Sequence, residues 1–222
     1  MQPFKEILAT AAKRKGGPSK LEGLLTPPRS PAQIRKTPGD RFLAEMTKCV
    51  FQAGFNWSVI ESKWAGFEAA FDGFDIARWR QMAPDDLDRL LKTEAIVRNA
   101  AKIRSVGENA AYLTALAEEA GSVGRHFAAW KTADYCGNLR ALQKNASRLG
   151  GRTGQIFLRR MGVDTLIFSP DVISALQRNG VLDKAPGSAK SWAALQHAID
   201  QWTAQSSRSL NEISQILAFS VG

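Results

Sequence analysis

The chain of 222 residues contains only two cysteines, Cys49 and Cys136, and two histidines, His126 and His197. Two cysteines cannot build the disulfide framework of small secreted proteins, so we expect a reducing compartment, the cytoplasm. The four side chains also lack the close Cys and His spacing that is typical of zinc sites. We therefore predict no metal and no other cofactor.

Long apolar segments are absent as well. No apolar run approaches the 18 or so residues that a membrane-spanning helix needs, and the N-terminus has no signal-peptide core. No stretch alternates apolar and polar residues over the length of a good strand, and no segment repeats. These absences predict an all-α fold and no membrane partner.

Acidic residues are scarce relative to basic ones, with 21 Asp and Glu against 30 Lys and Arg and a net charge of +9. This balance favours polyanionic partners, although a generally basic soluble protein also fits it. Residues 1–40 contain eight Lys or Arg, three acids, and five prolines between Pro18 and Pro38. We expect residues 1–39 to be a basic, proline-rich arm that is extended except for one or two helical turns at Phe4, Ile7 and Leu8. Residues 40–222 should form a helical domain.

A loop at residues 54–57 places two aromatic residues, Phe55 and Trp57, between two predicted helices. Glu45 and Cys49 are four residues apart in the helix that is predicted to end just before this loop, so they share one helix face. An aromatic residue in such a loop either fills a core or stacks on a flat ligand.

Two segments have clear helix-start signals. Ser58 and Glu61 have the spacing of a capping box, which predicts a helix that begins near Ser58. Ser169, Pro170 and Asp171 are typical of an N-cap and a first turn. The charge of Asp171 therefore has a structural explanation, because acids stabilise the positive end of a helix.

The segment from Gly54 onward also carries a family resemblance. Its motifs are A-G-F-N-W-S at 53–58, F-E-A-A-F-D-G-F-D at 67–75, D-D-L-D-R-L-L at 85–91 and I-V-R-N-A-A-K-I at 96–103. They resemble the 3-methyladenine DNA glycosylase I family of helix-hairpin-helix DNA glycosylases, closely over residues 54–113 and loosely to residue 183. The resemblance implies a helix-hairpin-helix DNA glycosylase-like fold, with two helical lobes around a cleft. It also implies a monomer whose partner is double-stranded DNA with a damaged base.

The resemblance assigns roles to the loop and its neighbours. Trp57 matches the tryptophan that stacks a flipped base, with Cys49 and Phe51 beside it in the base pocket. Phe55 matches the wedge that fills the gap left in the duplex. A cationic alkylated purine suits an indole face. Packing between helices is the alternative explanation for both loop aromatics.

Contacts with the DNA backbone follow from the same resemblance. The family's hairpin falls at residues 161–172 here. Arg159 and Arg160, just before it, and the N–H groups around Ser169 would hold phosphate. Arg98 and Lys102 match an R-x-x-x-K pair on one helix face. That pair could meet phosphate, stay solvated or form an internal salt bridge.

The sequence departs from the family pattern in the hairpin and in the zinc site. Phe168, or Ile167 with a one-residue shift, stands at the second hairpin glycine, which normally permits close backbone approach. An ordinary turn between core helices is therefore an alternative for the hairpin. The family's zinc site of two Cys and two His has no counterpart in ligand spacing here.

The candidate acids also differ from the family pattern. Cys49 stands at the position of the family's base-reading glutamate, and a thiol cannot offer the two strong acceptors of a carboxylate. Glu45, one turn earlier, is a possible substitute or simply a surface or helix-terminal acid. Other helix-hairpin-helix glycosylases have a catalytic aspartate just after the hairpin. Ser169 takes that position here, and Asp171 follows two residues later.

These observations predict a DNA N-glycosylase that excises alkylated purines of the 3-methyladenine type in base excision repair, without a metal. Trp57 would stack the base, Phe55 would fill the duplex, and Asp171 or Glu45 would orient water or stabilise positive charge on the sugar. A catalytically silent module that binds lesions or DNA structures is the alternative. A protein-interaction domain that no longer touches DNA is a third hypothesis.

Overall fold

The structure is a computed structural model that describes residues 1–221. Within that range the chain forms α-helices and two short 3-10 helices, and no strand. The prediction of an all-α fold is confirmed. None of the helices in the described part of the chain combines the length and the hydropathy that crossing a bilayer requires.

The α-helices, in chain order, are α1 (Phe4–Arg14), α2 (Pro18–Leu24), α3 (Pro31–Arg35), α4 (Gly39–Gln52), α5 (Trp57–Ser62), α6 (Trp64–Ala70), α7 (Ile76–Trp79), α8 (Pro84–Lys92), α9 (Ala100–Ala120), α10 (Val123–Ala128), α11 (Tyr135–Asn145), α12 (Gly151–Met161), α13 (Pro170–Arg178), α14 (Ala189–Ser206) and α15 (Leu210–Val221). The 3-10 helices are Asp72–Phe74 and Thr132–Asp134.

Backbone contacts divide the chain into two compact units. The central unit comprises Ser30–Ala129 and Ala141–Met161. The terminal unit comprises Met1–Arg29, Trp130–Arg140 and the chain from Gly162 onward. Each unit is assembled from segments that are distant in sequence, so neither is a continuous piece of the chain.

The core of the central unit is built around α4, which packs against α9 and α12. Aromatic rings fill much of it. Phe42 stacks on Phe127 with ring centroids 5.2 Å apart, and Phe51 meets Phe67 edge to face at 4.7 Å. All four rings are buried. Burial of this apolar surface fixes α4, and with it the side chains on the partly exposed face of that helix.

In the terminal unit, α15 packs against α1 and α13. Phe4 and Ile7 of α1 are buried, and the side-chain oxygen of Gln205 accepts a hydrogen bond of 2.7 Å from the backbone N–H of Phe4. The N-terminal helix therefore belongs to the packed part of this unit.

Helical turns were expected at Phe4–Leu8, and α1 begins there. The extended conformation that we expected for the rest of residues 1–39 is wrong, because α1 continues to Arg14 and α2 and α3 follow. Pro18 and Pro31 are each the first residue of a helix, where proline has no N–H to lose and its fixed φ is already helical. These prolines start helices where we expected them to break the chain. The division into residues 1–39 and 40–222 as domains stays a prediction.

Candidate functional site

The aromatic loop, residues 54–57, lies between α4 and α5 in the central unit. Gly54 has a φ of 69°, a left-handed conformation that suits glycine and turns the chain away from the end of α4. The side chain of Asn56 then caps α5 by accepting a hydrogen bond of 3.0 Å from the N–H of Ser58. This geometry leaves Phe55 45% exposed and Trp57 49% exposed. Two large apolar side chains are thus held at the surface by a short, well-capped turn.

The capping box predicted for Ser58 and Glu61 is wrong. Asn56 takes the N-cap position, and Glu61 is engaged elsewhere. One oxygen of its carboxylate lies 2.6 Å from the ammonium of Lys48, and the other accepts a hydrogen bond of 2.9 Å from the amide nitrogen of Gln52. Glu61 therefore connects α5 to α4 through these two contacts, and they stabilise the aromatic loop between the two helices.

Arg160, near the end of α12, lies against this loop. Its guanidinium carbon is 4.9 Å from the centroid of the Trp57 ring, within the range of a cation–π contact. Its Nη1 donates to Glu45 Oε1 at 2.9 Å and to Gln52 Oε1 at 2.7 Å. The sulfur of Cys49 is a weaker acceptor for the same nitrogen, at 3.7 Å. We call these five residues the Arg160 cluster.

Spacing along α4 explains why the cluster forms. Glu45, Cys49 and Gln52 follow each other at steps of four and three residues, so they occupy one helix face. Glu45 and Arg160 are only partly exposed, at 22% and 26% of their side chains, which shields their attraction from water more than a fully exposed pair. The cluster therefore combines a buried thiol, an ion pair and an exposed indole in one place.

The charges of the cluster are fixed by its surroundings. Burial raises the pKa of the Cys49 thiol well above its ordinary value, and the neighbouring Glu45 carboxylate raises it further, so the thiol stays protonated. Burial alone would lower the pKa of Arg160, but its hydrogen bond to Glu45 and the nearby acidic groups raise it overall. Arg160 therefore remains a cation, and Cys49 supplies no negative charge.

Other predicted site residues of the central unit have different surroundings from those we expected. Phe51 is fully buried against Phe67, so its ring belongs to the core. Lys102 donates from Nζ to the carbonyls of Phe51 and Ala53, at 3.1 and 2.9 Å, and so stabilises the C-terminal end of α4. Arg98 is exposed and precedes α9, so it does not share a helix face with Lys102.

Arg159, the neighbour of Arg160 on α12, is partly buried. We expected both arginines to point outward to phosphate. Arg160 instead makes its contacts with α4 and Trp57. No local pattern indicates this arrangement, because 108 residues of chain separate Arg160 from Gln52. Gln52 was not among the predicted site residues. Its position on the same face of α4 as Glu45 and Cys49 was the one signal that could have added Gln52 to the site.

The predicted hairpin lies in the terminal unit, between α12 and α13. Its backbone N–H groups are engaged within that unit. Those of Thr165, Leu166 and Ile167 donate to Asn211 Oδ1, the Tyr135 hydroxyl and Ser214 Oγ at 3.1, 3.1 and 3.0 Å. The N–H of Ser169 donates to the carbonyl of Ile167 at 2.7 Å.

The residues after the hairpin follow the helix-start prediction. Ser169 is the N-cap of α13, and its hydroxyl accepts from the N–H of Val172 at 3.2 Å. Asp171 is exposed in the first turn of that helix. In the same unit, the carboxylate of Asp164 accepts from the N–H groups of Leu210 and Asn211 at 2.9 and 2.8 Å, which caps α15. Polar groups around the hairpin thus connect it to the helices of its own unit.

The residues present do not fit a zinc ion. Within residues 1–221 no group of three or more His, Cys, Asp or Glu side chains is placed to hold a metal. Cys49 and Cys136 are buried free thiols that belong to different units. Burial raises the pKa of Cys136 to about 12, which disfavours the thiolate that zinc requires.

Comparison with known proteins agrees with the motifs. A family model described as methyladenine glycosylase matches residues 39–148, which include α4, the aromatic loop and most of the central unit. The matched segment, 110 of the 222 residues, is similar to the methyladenine glycosylase family. The match ends before Arg160, so it does not include the residue that contacts the ring of Trp57.

Solved structures extend the similarity of fold. The 8-oxoguanine DNA glycosylase of Thermotoga maritima is 16% identical, with a TM-score of 0.53 over 96% of this chain and 94% of that one. The enzyme of the same name from Methanocaldococcus jannaschii is 14% identical, with a TM-score of 0.51 over 95% and 91%. A mutant of 3-methyladenine DNA glycosylase I from Staphylococcus aureus is 20% identical, with a TM-score of 0.48 over 65% and 85%.

The expectation of a helix-hairpin-helix DNA glycosylase-like fold is thereby confirmed. The family match and the fold together indicate a DNA glycosylase for damaged bases.

Proposed function

We propose that the protein is a DNA N-glycosylase that removes alkylated purines, the class to which 3-methyladenine belongs, from double-stranded DNA. It would act in base excision repair as a cytoplasmic monomer. The observation that carries this proposal is the aromatic loop, where Phe55 and Trp57 are both about half exposed beside the Arg160 cluster. Burying large apolar side chains normally stabilises a fold, so holding two of them at the surface needs a reason.

Base excision supplies that reason. The enzyme must rotate a nucleotide out of the duplex, fill the gap and stack the extruded base. Phe55 has the exposure that a wedge needs, and Trp57 offers an indole surface for stacking. Stacking of a base on an aromatic side chain contributes about 1–3 kcal/mol. The family match over the loop supports these two roles.

The acid that assists bond cleavage is also a proposal. Glu45 lies one helical turn from Cys49, with one carboxylate oxygen bound by Arg160. Asp171 is exposed, and no cation in the described part of the terminal unit forms an ion pair with it. We propose these two carboxylates as the candidates for orienting water or stabilising the positive charge that develops on deoxyribose. Their separate replacement by the corresponding amides would rank them.

We propose phosphate binding for exposed cations rather than for the backbone N–H groups of the hairpin. Arg98 is exposed, whereas Arg160 and Lys102 have partners inside the central unit. The hairpin N–H groups near Ser169 already have acceptors. Arg159 keeps its proposed role on the strength of the family resemblance alone.

The test is release of free base from duplex DNA that has been treated with a methylating agent, measured by chromatography beside binding to undamaged duplex. Release of alkylated purines, lost in Trp57→Ala, supports the enzyme. Salt-dependent binding without release supports the second candidate function, a catalytically silent lesion reader. That candidate is favoured by Cys49, a protonated thiol where the family has its base-reading glutamate. Neither release nor binding would leave only a protein-interaction role.

A further inference from the structure

The indole of Trp57 already has a cation next to it. The guanidinium of Arg160 is 4.9 Å from the ring centroid, and Glu45 Oε1 balances its charge at 2.9 Å. The face of an indole ring is a good environment for a positively charged planar group. In this protein the guanidinium of Arg160 occupies that environment.

We propose that Arg160 is a specificity-determining residue that turns the Trp57 site away from cationic bases and towards neutral alkylated purines. This inference rests on the proposed function, because it concerns the base that stacks on Trp57.

Electrostatics gives the first argument. A cationic base on the face that Arg160 covers would have to displace the guanidinium and break its bonds to Glu45 and Gln52. A cationic base on the opposite face would meet a ring whose electrons are already drawn towards Arg160. On either face the attraction for a second cation is reduced, whereas stacking of a neutral base needs no charge on the ligand.

The neighbouring groups give the second argument, because the carboxylates beside the loop are already paired with cations of the protein. The Glu45 carboxylate is paired with Arg160, and the Cys49 thiol donates to the same carboxylate at 3.5 Å. Glu61, the next carboxylate along, is paired with Lys48. Each of these negative charges around the loop therefore has a positive partner of its own.

Arg160 also has donors to offer a neutral base. All of its hydrogen bonds to residues in the described range leave from Nη1. The N–H groups of Nε and Nη2 have no acceptor among residues 1–221, and they form one edge of the planar guanidinium. Two parallel donors match a base that presents adjacent acceptors, which is how arginine reads bases in general.

Two isomeric nucleosides isolate the effect of charge. At neutral pH 1-methyladenosine is a cation and N6-methyladenosine is neutral, although both are purines with one methyl group. Ligand-observed NMR would give the affinity of each for the wild type and for Arg160→Gln, Arg160→Lys and Arg80→Gln. Arg80 makes only a long contact of 3.9 Å with Glu118 on the surface, so its replacement controls for the loss of one positive charge.

The wild type should prefer the neutral isomer. Arg160→Gln should shift the preference towards the cation by roughly tenfold, the size expected when a cation–π contact becomes available to the ligand. Arg160→Lys should keep the wild-type order because it keeps the charge, and Arg80→Gln should change nothing. Circular dichroism would show that each variant is folded.

Three results would overturn the inference: an unchanged preference in Arg160→Gln, an equal shift in Arg160→Lys, or no measurable binding of either nucleoside by any variant. Failure of the proposed function gives a different pattern. In that case the nucleoside preference shifts as expected, but no base is released from methylated duplex. Base release together with an unshifted preference would instead retain the function and remove Arg160 as the determinant.

Discussion

The aromatic loop with its Arg160 cluster and the hairpin after α12 are two of the places where the sequence predicted contact with DNA. They differ in how far their polar groups are already bonded within the protein. At the loop, two aromatic side chains are half exposed and the guanidinium of Arg160 has an edge that no residue in the described range engages. At the hairpin, successive backbone N–H groups donate hydrogen bonds to the side chains of Asn211, Tyr135 and Ser214.

The difference indicates which of the two segments could bind a ligand. A group whose partners are supplied by its own unit contributes to stability, and engaging a ligand would break those bonds. A group held in place with unsatisfied donors or exposed rings can bind without that loss. The loop therefore has exposed groups that could bind a ligand, whereas the hydrogen bonds of the hairpin stabilise its own unit.

Trp57→Ala should give the largest functional effect. We expect excision to fall by ten- to a hundredfold, which corresponds to the roughly 1–3 kcal/mol of base stacking. The free energy of unfolding should change by less than about 1 kcal/mol, because the ring is half exposed and loses mainly its contact with Arg160. Single-turnover base release and urea denaturation measure the two quantities.

Leu24→Ala is the matched control, since Leu24 is as exposed as Trp57, at 49%, but lies in α2 of the terminal unit. It should leave both quantities unchanged. A Trp57→Ala protein that excises at the wild-type rate would remove the indole from the base pocket and erase the contrast between loop and hairpin.

Tyr135→Phe should show the opposite behaviour. The Tyr135 hydroxyl is buried, accepts from the N–H of Leu166 at 3.1 Å and lies 2.9 Å from Thr165 Oγ1. Its removal leaves a buried N–H without an acceptor, so we expect a loss of about 1–3 kcal/mol in unfolding free energy. Base release per folded molecule should not change. A variant of normal stability whose DNA binding is impaired would show that the hairpin, and not the loop, holds DNA.

The sequence was sufficient for the features that local patterns control. The signals at Ser169 and Pro170 predicted a helix start, and α13 begins there with Ser169 as its N-cap. Family motifs identified the fold and the aromatic loop. Exposure of the loop aromatics was one of two alternatives that the sequence left open, and the structure decides for it.

Features that depend on distant segments were missed. Arg160 reaches Glu45 across 115 residues of chain, and Lys102 reaches Ala53 across 49, so no local pattern could pair them. The N-terminal prolines were misinterpreted for another reason. Proline disrupts the interior of a helix but suits its first turn, and the spacing of prolines alone does not distinguish the two positions.

Another ion pair in the central unit sharpens the comparison, because it lies at the start of α8 and includes no residue of the Arg160 cluster. The carboxylate of Asp86 is bound by Arg78 and accepts from the N–H of Ala83 at 2.9 Å. The hydrogen bond from Arg78 lowers the pKa of Asp86. Asp86→Asn keeps an oxygen for the N–H of Ala83 but removes the charge that pairs with Arg78, so it should cost up to about 1 kcal/mol of stability at neutral pH.

The pH dependence follows from the sign of that shift. A carboxylate whose pKa is lower in the folded state stabilises the fold above its unfolded pKa of about 4, and this contribution is lost as pH falls through the folded pKa. Urea denaturation of wild type and Asp86→Asn should differ at neutral pH and converge in acid. A constant difference at all pH values would mean that the packing of Asp86, and not its charge, stabilises α8. Base release should be unaffected throughout.

Lys102→Met gives the smallest expected effect and tests whether a cation next to the loop acts on DNA or on the protein. Its ammonium donates to the carbonyls of Phe51 and Ala53, just before the aromatic loop. Methionine keeps most of the apolar stem, so the loss should be about 1 kcal/mol of unfolding free energy. Burial and then the charge of Arg148 lower the pKa of Lys102. The dependence of DNA affinity on salt concentration should keep its slope, whereas a lost phosphate contact would reduce the slope by about 1. A reduced slope with unchanged stability would assign Lys102 to the DNA backbone and would place a phosphate contact directly behind the aromatic loop.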